Sequence, residues 1–332
     1  MLSTQVILGT DTRLRKGALD LATRQAEARG LSIVVSNDPD ADRFAAAERL
    51  PDGSWHQFTG NQMGALLASH LIETTDKSLH DAIMLASTVS SQMLAAMARK
   101  EGFRFKETLT GFKWLGNVAQ QAQSKGLVPL FAYEEAIGHM FPTVVWDKDG
   151  IAAATVFLAA CQRWAKESLT PWKKLQKLYE KYGYFEDANT YLISPSSDVT
   201  EKVFVAIRTL NEGKPPTHVG ARKILRWRDL TVGFDSASPD GKPNLPVDPT
   251  AQMITCELEG GIVFTARGSG EKGTAFRYGT LLIMLLLGTE PKIKLYIEAT
   301  GASTSAEGKA AANEVLQDLI RDWFKGLRLA GT

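Results

Sequence analysis

The sequence predicts an α/β chain followed by a small α+β domain. In the first 194 residues, short apolar runs typical of buried strands alternate with amphipathic stretches of helical spacing, which is the order of βα units. After residue 195, a helical stretch precedes two apolar runs that flank Glu259-Gly260, a pattern typical of a hairpin. With 332 residues, of which 44% are hydrophobic, the chain is long enough for two or three domains with their own cores.

Composition and charge exclude several classes of protein. The 38 Lys and Arg residues balance 37 Asp and Glu residues, so no overall basic field points to nucleic acid or to an anionic membrane. The longest apolar run, at 281–287, is far shorter than the roughly 20 residues that a membrane helix needs. The first residues lack the basic region of a signal peptide, and two cysteines are too few for a disulfide framework. We therefore expect a cytoplasmic protein.

The first 78 residues contain four predicted elements. In order, these are a short helix at 19–30, a buried strand at 31–35, a hairpin whose strands at 45–48 and 54–58 flank Pro51-Asp52-Gly53, and a helix at 60–72. The apolar residues of the last helix recur at helical spacing, so one face is expected to be buried.

Three acidic residues, Asp38, Asp40 and Asp42, follow the strand with one residue between successive acids. Carboxylates crowded at the end of a strand repel one another, and a hard cation bound through oxygen relieves that repulsion. We therefore predict a Mg²⁺ site. A calcium loop of the EF-hand type would need Gly at its sixth position and Glu at its twelfth, where this chain has Arg43 and Arg49. The open alternative is that these three solvated aspartates bind no ligand.

The segment at 37–43, Asn-Asp-Pro-Asp-Ala-Asp-Arg, resembles the metal loop of the α-D-phosphohexomutase superfamily, in particular of phosphoglucomutases that also act as phosphopentomutases. Stretches at 111–117, 134–138 and 289–294 resemble further family segments and occur in the family's order. The resemblance implies that the three aspartates bind Mg²⁺ together with a phosphate oxygen on a catalytic serine. It also implies a partial metal-binding domain at 1–78, a sugar-binding domain at 79–194 and a phosphate-binding domain at 195–332, with mixed sheets in the first two.

The predicted sugar-binding domain alternates strands and helices. The strand at 81–86 leads into a helix with Met93, Leu94 and Met97 on one face, and a helix at about 118–123 precedes the strand at 128–133. Two further helices follow, at 151–166 with Asp147-Lys148-Asp149-Gly150 as its cap, and at 171–182. Lys113 is therefore expected on a loop at a helix entrance, where the resemblance makes it a catalytic cation together with Arg43. Glu134 and Glu135 follow a strand, and the resemblance implies that they bind the sugar.

Two further features of this domain concern single residues. On the residues alone, the favoured interpretation of Lys113 is a surface lysine beside a buried Trp114. His139 lies close to the two glutamates in the sequence and is a candidate donor of one more hydrogen bond to a sugar, although a lone histidine is more often structural.

The predicted phosphate-binding domain begins with a helix that has Asp198 and Glu201 in capping-box spacing. A hairpin at 252–266, a strand at 292–297 and a helix at 309–327 follow, which indicates one small sheet with helices on one face. By resemblance, a phosphate loop is divided into two halves by residues 271–288. The residues of this loop are Arg267, Ser269, Gly270, Thr289 and Lys292.

The insertion at 271–288 would separate groups that must converge on one phosphate. Closing a loop of this length adds only a kcal/mol or two of entropic cost, so the two halves could still meet. The apolar run at 281–287 has no evident burial partner. One hypothesis is that the insertion and the unmatched N-terminal residues arise from a gene-model or splicing artefact.

The resemblance implies a phosphosugar mutase. Such enzymes move a phosphoryl group between C1 and C6 of glucose, or C1 and C5 of a pentose, with glucose 1,6-bisphosphate as activator and intermediate. The family's serine segment, Thr-Ala-Ser-His-Asn-Pro, does not occur in this sequence, and Ala68-Ser69-His70 lies inside a predicted helix. We therefore expect the C-terminal portion of a mutase, inactive alone, whose partner is a small-molecule sugar phosphate. The alternatives are a non-catalytic sugar-phosphate-binding fragment and a metal-dependent phosphatase with Asp38 as nucleophile.

Overall fold

The computed structural model describes residues 17–269 and 291–325, together with the backbone of a strand at 328–329. The chain divides into two compact units, Met1–Tyr182 and Gly183–Thr332. None of the helices in these ranges is long and apolar enough to cross a membrane.

The first unit begins with a small antiparallel sheet. Its elements in chain order are α1 (Asp20–Ala28), β1 (Ile33–Asn37), β2 (Phe44–Arg49), β3 (Trp55–Gln57) and α2 (Gly60–Thr74). The strand order is β1-β2-β3, and the predicted turn at Pro51-Asp52-Gly53 joins β2 to β3. Asn37 pairs with Phe44, so residues 38–43 form the tip of the hairpin between β1 and β2. Residues 38–43, which we call the acidic loop, are therefore a short connection held at both ends by paired strands.

A second sheet in the same unit has parallel strands with helical connections. Its elements are β4 (Ala82–Ser87), α3 (Met93–Glu101), β5 (Arg104–Thr108), α4 (Phe112–Ser124), β6 (Val128–Glu134), β7 (Gly138–Met140), α5 (Gly150–Lys166) and α6 (Pro171–Tyr182). The order is β5-β4-β6-β7, with β4 parallel to both β5 and β6 and with β7 antiparallel to β6. The C-terminal ends of β4 and β6 therefore meet at one edge of this sheet, as the predicted βα units require.

Helix α4 begins six residues before its predicted start at about residue 118. Gly111 precedes the helix with φ of +104°, which glycine adopts without strain, and its N–H donates to Glu134 Oε1 at 2.5 Å. A carboxylate at this end also suits the helix dipole. The prediction that Lys113 lies on a loop was wrong, because this tertiary cap extends the helix through Phe112; Lys113 lies in its first turn.

The second unit is built on one sheet. Its elements are β8 (Phe185–Asp187), β9 (Thr190–Ile193), α7 (Ser197–Arg208), β10 (His218–Val219), β11 (Arg222–Asp229), β12 (Phe234–Asp235), β13 (Met253–Leu258), β14 (Ile262–Ser269), β15 (Lys292–Thr300), α8 (Ser305–Asp322) and β16 (Arg328–Leu329). The described strands pair in the order β10-β11-β13-β14-β15-β9-β16, all antiparallel, and β12 and β8 pair with β11 and β15. Phe204, Phe264, Leu295 and Leu319 are fully buried in the core that the sheet forms with the described helices α7 and α8.

Three details differ from the expected boundaries. Strands β8 and β9 pair with β15, about 100 residues later in the chain, so the sheet of the second unit starts before the expected boundary at 195. These strands are too short to be recognised from local periodicity, and the three-domain division stays a prediction. Helix α7 is capped by Ser196, whose hydroxyl accepts from the N–H of Val199, and not by Asp198. Helix α8 starts at Ser305, where Thr304 supplies its cap. The α/β fold class itself is confirmed.

Candidate functional site

Asp38, Asp40 and Asp42 come together on the hairpin tip between β1 and β2. One carboxylate oxygen from each lies within 4.8 Å of the other two. Asp38 is buried, Asp40 is exposed and Asp42 is intermediate. The buried Oδ1 atom of Asp42 has no hydrogen-bond partner among the described residues, and the Nη1 atom of the Arg43 guanidinium lies 3.6 Å away from it. A set of three carboxylate oxygens this close together fits a hard divalent cation such as Mg²⁺.

The backbone of this acidic loop is fixed by the start of α5. The N–H of Gly150 donates to the Ala41 carbonyl at 3.1 Å, and the side chain of Asn37 donates to the Arg43 carbonyl at 2.7 Å. A Cβ atom on Gly150 would lie 2.3 Å from both the Arg43 carbonyl oxygen and Asn37 Nδ2. Only glycine permits this approach, so the helix and the loop are packed backbone against backbone.

Two cations offset part of the negative charge of the three aspartates. The N–H of Arg43 donates to Asp38 Oδ1 at 3.1 Å, and its guanidinium Nη1 lies 2.7 Å from Asp38 Oδ2. Lys148 Nζ lies 2.9 Å from Asp42 Oδ2. Burial alone would raise the pKa of Asp42, but the hydrogen bond from Lys148 and the two nearby positive charges outweigh it and hold that pKa below its usual value. Because both oxygens of the buried Asp38 are engaged by Arg43, the geometry does not favour an exposed aspartate nucleophile.

Lys148 is a site residue that the sequence analysis missed. The structure confirms that Asp149 caps α5, since its Oδ1 accepts from the N–H groups of Ile151 and Ala152. Lys148, however, turns to Asp42 and lies 5.7 Å from the centre of the Phe112 ring. Its approach to the aspartates is set by the packing of α5 against the acidic loop, and the local sequence carries no signal of it.

The turn at 134–138, which we call the acidic turn, lies beside the acidic loop. The N–H of Phe44 donates to the Ile137 carbonyl at 3.1 Å, and Arg43 and Gly138 form an isolated β-bridge. Glu134 accepts from Gly111 at the start of α4, in whose first turn the exposed Lys113 lies. The first unit therefore brings together the predicted metal ligands, Arg43 and the predicted sugar-binding turn, with α4 adjoining that turn.

His139 does not face this site. It is fully buried, and its ring lies nearly parallel to those of Phe131 and Tyr133, at centroid distances of 6.2 and 6.5 Å. Neither ring nitrogen has a hydrogen-bond partner among the described residues. Burial lowers the pKa of His139 to about 3, so the ring is neutral near neutral pH. A role in donating to a sugar does not fit this position.

In the second unit, the predicted phosphate-binding residues lie at the end of the β14–β15 pair. Ser269 pairs with Lys292 and Arg267 with Lys294, so these side chains share one face of the sheet. Arg267 and Ser269 also line a cavity of about 390 Å³ at the start of α7. Lys292 Nζ lies 4.9 Å from the centre of the Tyr191 ring. Gly270, Thr289 and the apolar run at 281–287 lie outside the described residues.

Comparisons with known proteins show which family this chain matches. The family described as phosphoglucomutase/phosphomannomutase, alpha/beta/alpha domain III, matches residues 59–182. A phosphoribomutase of Saccharomyces cerevisiae is 41% identical over 329 residues, covering 93% of this chain and 50% of the relative. A human phosphopentomutase is 39% identical over 320 residues, covering 93% and 49%. A human glucose 1,6-bisphosphate synthase is 38% identical over 312 residues, covering 92% and 47%. The chain thus spans about half the length of the curated relatives it matches.

Solved structures agree on the fold. The open form of parafusin (phosphoglucomutase) from Paramecium superposes with a TM-score of 0.57 at 18% identity, over 89% of this chain and 47% of that one. A phosphoglucomutase/phosphomannomutase family protein from Burkholderia thailandensis superposes with a TM-score of 0.52 at 12% identity, over 94% and 51%. The family match over residues 59–182 and the sequence relatives identify the chain as a member of the α-D-phosphohexomutase superfamily, and the solved structures show the same fold.

Proposed function

We propose that this chain forms part of a phosphosugar mutase of the phosphoglucomutase and phosphopentomutase type. The reaction is transfer of a phosphoryl group between C1 and C6 of glucose, or between C1 and C5 of a pentose, through a bisphosphate intermediate. The observation that carries the proposal is the juxtaposition of the three aspartate oxygens with the acidic turn. The mutase names of the most similar relatives support it. Both cysteines are free and buried, which suits the reducing cytoplasm that we propose as its location.

Asp38, Asp40 and Asp42 would hold Mg²⁺. When bound, the ion supplies positive charge that stabilises the oxygens of a transferring phosphoryl group. Arg43 already fixes Asp38 through two hydrogen bonds, so it orients one ligand and adds a second positive charge to the site. Lys148 supplies a third charge at Asp42. The chain thereby places one cation at Asp38 and another at Asp42.

Each of the two units would supply groups that bind a sugar phosphate. Glu134 and Glu135 supply carboxylates at the acidic turn, which suits recognition of sugar hydroxyls, and Lys113 supplies a cation in the adjacent helix. Arg267, Ser269, Gly270, Thr289 and Lys292 would bind the phosphate of the substrate, because a guanidinium, hydroxyls and backbone N–H groups are the donors that a phosphate needs. We propose glucose 1,6-bisphosphate as activator and intermediate, in keeping with the relative named glucose 1,6-bisphosphate synthase.

Calorimetric titration of the 332-residue chain with Mg²⁺ tests the metal site. Binding is expected to be weak alone and stronger with glucose 1,6-bisphosphate, because three carboxylates leave part of an octahedral shell to water or phosphate. Asp40→Asn should abolish binding without unfolding the protein, since Asp40 is exposed. Asp76→Asn, at an aspartate with an exposed side chain, is the matched control. Equal Mg²⁺ binding by wild type and Asp40→Asn would remove this site from consideration.

A further inference from the structure

Ser87, the last residue of β4, and the loop that follows it at 88–91 contact the acidic turn. The hydroxyls of Ser87 and Ser90 lie 2.8 Å apart, and both residues are buried. Ser87 Oγ lies 3.3 Å and Ser90 Oγ 3.5 Å from Glu135 Oε2. The N–H of Glu135 donates to Ser90 Oγ at 3.0 Å. Glu135 is thus held by its carboxylate and by its backbone, and we call these three residues the serine clamp.

The loop that carries Ser90 is hydrogen-bonded to α2 and to β6. The N–H of Ser91 donates to Asn61 Oδ1 at 2.9 Å, which ties the loop to the first turn of α2. The Tyr133 hydroxyl donates to the Ser91 carbonyl at 3.3 Å, which ties it to β6. A Cβ atom on Gly60 would lie 2.0 Å from the Glu135 carbonyl oxygen, so the start of α2 packs directly on the acidic turn. The turn cannot shift without disturbing α2, β4 and β6 together.

Glu134 and Glu135 point in different directions. Successive side chains at the end of a strand project to opposite faces. Glu134 extends to the N–H of Gly111 beside the turn that carries Lys113, whereas Glu135 extends to the two serine hydroxyls. The two acids of the acidic turn therefore have different surroundings, and a carboxylate that accepts from buried hydroxyls is already oriented by the protein.

We propose that Glu135 is a positioning residue and that Ser87 and Ser90 are the groups through which it acts. The serine clamp fixes the backbone of the acidic turn, so that Glu134 is held where it can contact the sugar. This inference rests on the proposed function, because it assigns Glu134 as the substrate contact. It divides the role given to the two glutamates in the proposed function: Glu134 touches the sugar, whereas Glu135 shapes the turn and does not contact the sugar.

A double-mutant cycle on glucose 6-phosphate binding tests the proposal. The double variant Ser87→Ala/Ser90→Ala and the variant Glu135→Ala should each weaken binding by roughly tenfold. In each of them the turn no longer holds Glu134 in the position from which it contacts the sugar. The variant that combines all three substitutions should bind glucose 6-phosphate no more weakly than either of these variants, because the three residues act together to hold the turn. Glu135→Gln keeps an oxygen that can accept from the hydroxyls and should restore most of the affinity. Additive losses, as from a direct sugar contact by Glu135, would overturn the proposal.

Amide hydrogen exchange gives a readout that needs no ligand. Loss of Ser90 Oγ should accelerate exchange at 134–138 in the Ser90→Ala variant while leaving β5 unchanged. Ser124→Ala is the matched control, since that hydroxyl donates to the Gln121 carbonyl at the end of α4. An unchanged exchange rate at 134–138 would overturn the serine clamp. A wild-type chain that binds no sugar phosphate would instead overturn the proposed function, so the two failures are distinguishable.

Discussion

At the scale of single residues, Lys148 has a testable effect on cation binding. Its ammonium group lies 2.9 Å from a carboxylate oxygen of a predicted metal ligand, so it opposes an incoming Mg²⁺ ion. Lys148→Met keeps the length of the side chain and removes the charge, and we expect Mg²⁺ affinity to rise by up to roughly tenfold. Calorimetry measures this, with Lys125→Met, at the exposed C-terminal end of α4, as the control. A lower Mg²⁺ affinity in Lys148→Met would contradict this charge argument.

His139 gives a prediction for the pH dependence of stability. The pKa of this buried ring is about 3 in the folded protein, against 6.5 for an ordinary histidine. As pH falls below about 6.5, the unfolded chain takes up a proton that the folded chain does not, so the free energy of unfolding falls by about 1.4 kcal/mol per pH unit until about pH 3.

Replacing His139 by Leu removes this contribution. Urea unfolding of His139→Leu at pH 7, 6 and 5 should show a weaker loss of stability on acidification than wild type. The matched change at the exposed His80, His80→Leu, should leave the wild-type pH dependence in place. Identical pH dependence in wild type and His139→Leu would show that the ring is solvated or hydrogen-bonded in solution.

At the scale of elements, the β14–β15 pair determines what the insertion can do. Ser269 and Lys292 are cross-strand partners, so the two ends of the intervening segment are already adjacent. Removing residues 271–288 would leave Gly270, Thr289, Glu290 and Pro291 between them. A connection of four residues is an ordinary hairpin loop. The paired strands are therefore compatible with the short phosphate loop of the family.

We expect the 271–288 deletion to improve both solubility and glucose 6-phosphate affinity. It removes seven consecutive apolar residues that favour association, and it places Ser269 close in sequence to Thr289. A second variant, with polar residues in place of 281–287, should improve solubility alone. Equal affinities for wild type and both variants would show that this segment does not bind phosphate in this protein.

At the scale of the whole molecule, the prediction concerns turnover. In the proposed function, the aspartates and the acidic turn would position and polarise a sugar phosphate, but the serine segment that the family resemblance implies as covalent phosphoryl carrier does not occur in this sequence. We expect the purified 332-residue chain to bind sugar phosphate and to give no mutase turnover in a coupled assay. Addition of a serine-bearing partner segment is the complementary experiment. Ordinary turnover by the chain alone would refute the requirement and point to another acceptor within it.

The sequence by itself determined the features that depend on neighbours along the chain. Helices α2 and α6, strands β1 and β6 and both predicted hairpins follow from short-range periodicity and turn residues, and they were predicted close to their observed bounds. The acidic loop could also be predicted from the sequence, because its three aspartates lie within a stretch of five residues. Local patterns of burial and charge are enough to define such elements.

Only the tertiary structure decided which distant groups meet. Lys148 lies beside Asp42, and Ser87 and Ser90 lie beside Glu135. In each case the residues are about 45 or more positions apart in the sequence. The early start of α4 follows from a hydrogen bond across 23 residues, and the place of β8 and β9 follows from a strand about 100 residues later. Such contacts depend on how whole elements pack, and the spacing of residues along the chain carries no record of that packing.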